Sequence, residues 1–333
     1  MNRRKLARAL FLALMLSPGV FFRTPIPDYD AIELSITPLT GIDLPGQASG
    51  FVRIGVWELD SRRADFGGFS AILVTDDGAV RAFSDRGKHL TFTAPGHTAT
   101  RAPLYQTIDR GGLSNRKPDI ESATGDPATG DYWLGIEQFH SLIRFSADGE
   151  YEAARAPSEW QGWDMNAGAE AMARLPDGRF LVLPEGRRTG LLYPSDPVGK
   201  IAPTRFTFAV PGGYSSTDMA ALPDGRVLIL LRQIAWGIPP FESALAIADP
   251  ATIADGGSLD IDLLIDLDTI VPSENYEGLA LAGDAGDGAV HLWLIADDNL
   301  ASFQRTLLVH LAWREDAVAL PPGSTHEKAR GEP

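Results

Sequence analysis

GAEAMARLPDGRFLVLPEG, residues 168–186, decides the fold. It holds a carboxylate at Glu170, a short run of small apolar residues, the turn Asp177-Gly178, the apolar run FLVL and a second carboxylate at Glu185. Asp-Gly between two apolar runs is the strongest short signal for a β-hairpin, because glycine accepts the positive φ that the turn demands. The same order recurs in GGFSAILVTDDGAVRAFSDRG (67–87), DIESATGDPATGDYWLGIEQ (119–138), SSTDMAALPDGRVLILLRQ (215–233) and NYEGLALAGDAGDGAVHLWLIADDN (275–299). The residues that open these hairpins, Ser70, Glu121, Glu170, Asp218 and Glu277, lie 51, 49, 48 and 59 positions apart. A unit of about 50 residues holds four short strands, which is one blade of a β-propeller.

Working outward, TGLLYP (189–194) and TRFTFAV (204–210) supply further strands of the unit that begins at Glu170. The runs WLGI, FLVL, VLILL and HLWLI are apolar on both faces, as strands sandwiched between blades must be. The last unit shows three strands, ending with TLLVHLAW (306–313), and FVRIGVWEL (51–59) can supply the fourth and close the ring. The expected fold is all-β, a single-domain β-propeller with five countable blades. Residues 31–40 remain unassigned and leave a sixth, degenerate blade open. The boundaries follow: an N-terminal extension over 24–50, the propeller over 51–313 and a flexible tail over 314–333.

Composition agrees. The 34 glycines and 24 prolines suit many short elements joined by tight turns rather than long helices. The absence of cysteine excludes disulfide staples, thiol catalysis and Cys-ligated zinc. Arg3, Arg4, Lys5 and Arg8 precede the eight-residue apolar run ALFLALML (9–16). That run is far short of the roughly 20 residues of a membrane span. Residues 1–23 therefore read as a signal peptide, with an uncleaved anchor as the alternative. A periplasmic or secreted protein with no membrane span in its mature form is expected. Beyond residue 23 the chain carries 24 basic and 44 acidic residues, a net charge of −20. Such a surface repels nucleic acid and anionic lipid and favours cations. A monomer is expected.

A second polar column, Asp85, Glu137, Glu185, Arg232 and Asp297, follows the first by 14 to 20 residues. Because hairpin strands are antiparallel, the start of the first strand and the end of the second share one end. Both columns should gather on one face of the disc, opposite the Asp-Gly turns. Carboxylates at ~4–6 Å repel by about a few kcal/mol per pair at intermediate dielectric. Bound Ca²⁺, salt bridges to nearby arginines or raised carboxyl pKa values would each relieve that repulsion. Candidate metal ligands are Glu121, Glu170, Glu185, Glu277 and Asp297. Asp85, Arg86, Arg232 and Arg305 are the candidate catalytic residues, the three arginines as anion clamps, for a small anionic ester or phosphoester substrate. The bland alternative has the acids capping backbone N–H groups and pairing with arginines. GxSxG, HExxH, P-loop and GxGxxG motifs are all missing. His291 and His310, inside apolar strands, read as interior residues.

SDRG (84–87), IES (120–122), NAGAEAMARLPDGRFLVLPEG (166–186) and the block NYEGLAL with LIADDN and FQRTLL (275–308) together resemble the phytase-like family with "esterase-like activity of phytase". The resemblance spans about residues 66–313. It implies an exported propeller, a hydrolase or phosphoesterase activity and calcium dependence. The matching positions are Asp85, Arg86, Glu121, Glu170, Glu185, Asn275, Glu277, Asp297, Asp298 and Asn299. The fourth unit departs from the pattern, since its hairpin ends in LLRQ (230–233) and places Arg232 where the others carry an acid. A non-enzymatic binding scaffold of the cell envelope and a lactonase-type propeller are the rival readings.

Overall fold

Each Asp-Gly turn folds as its local chemistry requires. Gly78, Gly178, Gly225 and Gly288 all adopt positive φ, between 73° and 94°. The Asp177, Asp224 and Asp287 carboxylates accept the backbone N–H two residues on, at 3.0, 3.0 and 2.9 Å. The computed structural model describes residues 30–75, 77–97, 101–109, 118–163, 168–283, 285–301 and 303–315. The signal peptide expected over 1–23 lies outside those residues, as does nearly all of the expected tail.

Twenty-three strands form among the described residues. β1 (Ser35–Pro38), β2 (Gln47–Ala48) and β3 (Phe51–Asp60) come first. Blade one follows as β4 (Phe69–Val74), β5 (Ala79–Ser84), β6 (Lys88–Thr93) and β7 (Leu104–Thr107). Blade two is β8 (Ile120–Gly125), β9 (Tyr132–Ile136), β10 (Ser141–Phe145) and β11 (Tyr151–Arg155). Blade three comprises β12 (Ala171–Arg174), β13 (Phe180–Leu183), β14 (Thr189–Tyr193) and β15 (Thr204–Phe208). Blade four holds β16 (Ser215–Ala221), β17 (Val227–Ile234), β18 (Phe241–Ala248) and, after the short β19 (Ser258–Leu259), β20 (Ile261–Asp266). β19 pairs instead with the edge of blade three. Blade five is β21 (Tyr276–Leu281), β22 (Val290–Ala296) and β23 (Leu307–Trp313).

The ring closes as the sequence anticipates. β3 pairs antiparallel with β23, from Leu307 opposite Glu58 to Trp313 opposite Phe51, and Phe51 stacks on Trp313 at 5.6 Å. β1 pairs with β3 as a fifth strand of that blade. Residues 35–38 thus extend blade five, and five blades are present among the described residues.

Packing explains why the second strands are apolar on both faces. Along β17, Leu228 and Leu230 face blade five, while Val227, Ile229 and Leu231 face blade three. Five separate apolar layers fill the five junctions between blades. At about 25 cal/mol per Å² of apolar surface removed from water, these layers are the main force holding the ring. Among the described residues no helix is long and apolar enough to cross a membrane.

Candidate functional site

The first strands of four blades share one irregularity. Each slips register by a residue near its start, leaving Ser70, Glu121, Thr217 and Glu277 unpaired in β4, β8, β16 and β21. A β-bulge re-aims the side chain of its extra residue and bends the strand. In blade three Glu170 directly precedes β12. The first column is therefore Ser70, Glu121, Glu170, Thr217 and Glu277, which corrects the sequence alignment by one position in blade four. Asp218 lies off the axis and is fully buried. Its carboxylate accepts the N–H groups of Met219 and, across to blade five, Leu279, both at 2.8 Å. Burial pushes its pKa well up.

The acids of the two columns otherwise converge. Burial first, and then the charges of Glu170, Glu277, Asp119 and Glu137, hold the Glu121 carboxyl well above the usual range. Glu170 is raised by burial and by Glu185, Glu137 and Glu277, against one N–H bond from Gly168 at 3.2 Å. Burial and the neighbouring Asp119 and Glu185 push Glu137 up to about 7. Asp297 is raised by burial, Glu277 and Asp85, although the Asn299 N–H donates to it at 2.7 Å. Asp85 rises to about 6, mainly through burial, with Arg86 opposing. Residues from all five blades thus act on one another's charge, as a shared hub requires.

Among the described residues one cation, Arg232, lies within the hub. Arg232 donates from Nη1 to Glu277 Oε1 and, at 2.7 Å, to Asn275 Oδ1; its Nη2 stands 3.8 Å from Glu185 Oε1. Asn275 Nδ2 also donates to Glu277 Oε1, at 2.9 Å. Burial alone would lower the Arg232 pKa, but Glu277, Glu185, Glu170 and Glu121 overcome it and hold the guanidinium charged. Arg86 sits at the rim, 3.9 Å from Asp85, with both side chains more than a third exposed. Arg305 stands apart from the converging acids. Its Nε donates to the buried Glu274 at 2.7 Å, and that pairing occupies it.

Asp119, Glu121 and Glu137 each offer a carboxylate oxygen, and the three atoms lie within 4.8 Å of one another. Asp119 is absent from the sequence-derived columns. Its signal is weak, an acid two residues before Glu121 in PDIES, and becomes legible only with the bulge that follows it. Glu137, in the second column but outside the expected ligand set, completes the group. Close backbone approach shapes the rim. A Cβ on Gly68, whose φ is +70°, would stand 2.3 Å from Asp85 Oδ1, and Asp298 Oδ1 accepts the Gly68 N–H at 3.1 Å.

The motifs that matter most, Glu121 in IES and Asn275 and Glu277 in NYEGLAL, are those that meet at this hub. The family model described as "Phytase-like: Esterase-like activity of phytase" matches residues 64–300. The chain belongs to this phytase-like family. No curated relative matches it. Among solved structures, the chain is similar to a gluconolactonase from Xanthomonas campestris at 12% identity, covering 87% of this chain and 99% of that one, with a TM-score of 0.46. It is similar to the PQQ-bound aldose sugar dehydrogenase from Streptomyces coelicolor at 9% identity, covering 85% and 99%, with a TM-score of 0.41. For hydrazine synthase from Kuenenia stuttgartiensis the identity is 13% and the TM-score 0.38; 70% of this chain is covered, and it spans 57% of that chain. Those likenesses are too distant to bear on chemistry.

Proposed function

We propose that this phytase-like protein binds Ca²⁺ at the hub and hydrolyses a small anionic ester or phosphoester there. The observation that carries the reading is the group of Asp119, Glu121 and Glu137 oxygens, within 4.8 Å of one another. The donor set fits the ion: all three are hard carboxylate oxygens, and Ca²⁺ takes six to eight oxygen ligands at about 2.3–2.6 Å. The charge fits as well. Burial and like charge raise the surrounding carboxyls, and among the described residues no hydrogen bond to the Glu121 carboxylate relieves it. Glu170, Glu185, Glu277 and Asp297 would complete the acidic shell.

A bound Ca²⁺ would supply positive charge for the oxygens of an ester on which negative charge develops. The chain's own residues do the rest. Arg232 orients the anionic group by charge-assisted hydrogen bonds, and Arg86 guides it at the rim. Asp85, raised to about 6, is charged at neutral pH yet basic enough to take a proton from water. The water oxygen then bonds to the ester phosphorus or carbonyl carbon. The alcohol oxygen leaves and receives the proton from Asp85. Residues 1–23, read as an export signal, would deliver the protein to the periplasm or medium.

The rival scaffold reading draws on Arg232, whose guanidinium already has partners in Glu277 and Asn275. Calorimetric titration with Ca²⁺, alongside hydrolysis of aryl phosphates and aryl esters, separates the two. Calcium binding with no turnover leaves a scaffold, and no calcium binding removes the proposal.

A further inference from the structure

Large apolar side chains left in water are unevenly placed on this molecule. Seven stand exposed among the described residues: Ile54, Ile234, Trp236, Ile238, Leu263, Leu300 and Phe303. Five of them belong to two hairpin ends. Ile234, Trp236 and Ile238 lie at the β17–β18 connection, and Leu300 and Phe303 at the β22–β23 connection. β17 and β22 both run from the Asp-Gly turns towards the acidic end, since they end beyond Arg232 and just before Asp297. Both connections therefore rise on the acidic face, from adjacent blades at the same position in each sheet.

The blade-four hairpin is a built projection. Its ladder runs on past Arg232 to the pair Ile234–Phe241, and the Ala235 N–H donates to the Pro240 carbonyl at 2.9 Å to close the tip. The tip IAWGIPP (234–240) carries no charge. Trp236 is 105% exposed, Ile234 84% and Ile238 86%, so nothing among the described residues covers them. A residue lining a small-molecule pocket is partly covered by its pocket, whereas these side chains form a convex prow. A prow of this kind fits an extended apolar phase better than a single small ligand.

We propose that this rim seats the acidic face on a neutral lipid–water interface, with Trp236, Ile238 and Ile234 inserted and Phe303 and Leu300 beside them. Tryptophan, with an apolar ring and a polar N–H, favours that boundary, and isoleucine adds apolar area that inserts beneath it. Charge selects the surface. The chain's net charge of −15, with its acids gathered beside the rim, opposes anionic headgroups, so insertion must be driven by apolar area on a zwitterionic surface. This docking stands independently of hydrolysis at the hub.

The test is co-sedimentation of the full chain with sucrose-loaded phosphatidylcholine vesicles. Binding should be retained at high salt and should weaken as phosphatidylglycerol replaces phosphatidylcholine. Trp236→Ser and Ile238→Ser should each reduce partitioning roughly tenfold or more, in keeping with the loss of one buried apolar side chain. Phe303→Ser should weaken it less. Ile54→Ser, exposed on β3 away from this face, should leave it unchanged. Unaltered melting curves would show that the variants fold. No binding to phosphatidylcholine, preference for anionic vesicles, or equal loss with Ile54→Ser would overturn the proposal. It would also fall if Trp236→Ser abolished saturable binding of a soluble aryl ester while vesicle binding was absent.

Discussion

Arg232, near the end of the second strand of blade four, donates to the carboxylate of Glu277 at the bulge of blade five. The contact joins two blades and places a partly buried guanidinium among the acids that hold it charged. Removing one member of a partly buried ion pair leaves the other without compensation, at a cost of about 3 kcal/mol. Arg232→Met should lower stability by about that amount in urea denaturation. Adding Glu277→Gln should recover part of the loss. A double variant no more stable than Arg232→Met would show that the pair is not coupled.

The opposite sign is expected for the acids. Glu121 is raised by burial and by Glu170, and Glu170 by burial and by Glu185, so their charged forms oppose folding of the metal-free protein. Glu121→Gln should raise its melting temperature by a few degrees, about 1 kcal/mol, and abolish any shift produced by Ca²⁺. Differential scanning calorimetry with and without calcium reads both effects. A variant less stable in chelator would assign Glu121 a structural role.

Two sets of groups give the stability curve its pH dependence. Asp85 at about 6 and Glu137 at about 7 lie above their ordinary values of 3.8 and 4.5. The folded state holds their protons more tightly, so their contribution is full below about pH 4 and is lost as pH rises through 6 to 7. His89 and His310, both lowered by burial to about 4 from 6.5, act the other way. Their contribution is full above pH 6.5 and is lost as pH falls towards 4. Calcium should cancel the Glu137 part of the first arm, since Glu137 is in the ligand group, and leave the second. Binding should also release protons at pH 6, which calorimetry in buffers of different ionisation heat measures. Uptake of protons would contradict the assignment.

Asp218 should separate fold from site. Asp218→Ala strands the N–H groups of Met219 and Leu279 in the interior, at about 3 kcal/mol in total. Calcium titration of the folded variant should match the unsubstituted protein, because Asp218 is not among the charges that act on the hub acids. A lost calcium isotherm in a folded Asp218→Ala protein would return that carboxylate to the site.

The hairpins, their spacing and the strand that closes the ring were legible in the chain because each depends on local chemistry. Asp-Gly turns, apolar runs and polar residues at strand starts are written within about 20 residues of one another, and antiparallel hairpins repeated as propeller blades send Glu121, Glu170 and Glu277 to one face. Finer placement needed the tertiary structure. Whether Thr217 or Asp218 turns inward depends on which residue the β16–β17 pairing leaves out, and a slip of one residue exchanges the faces of a strand. Asp119 joins Glu121 and Glu137 only through the bulge between Ile120 and Ser122. Arg305 looked equivalent to Arg232 as a nearby cation, yet Glu274, 31 residues earlier, holds it. The sequence by itself determined that negative charge would gather at one hub, because pattern and strand direction are properties of the chain. Which oxygens meet there was decided only by packing, because pairing register and the arginines' choice of partner are set by contacts between residues far apart in sequence.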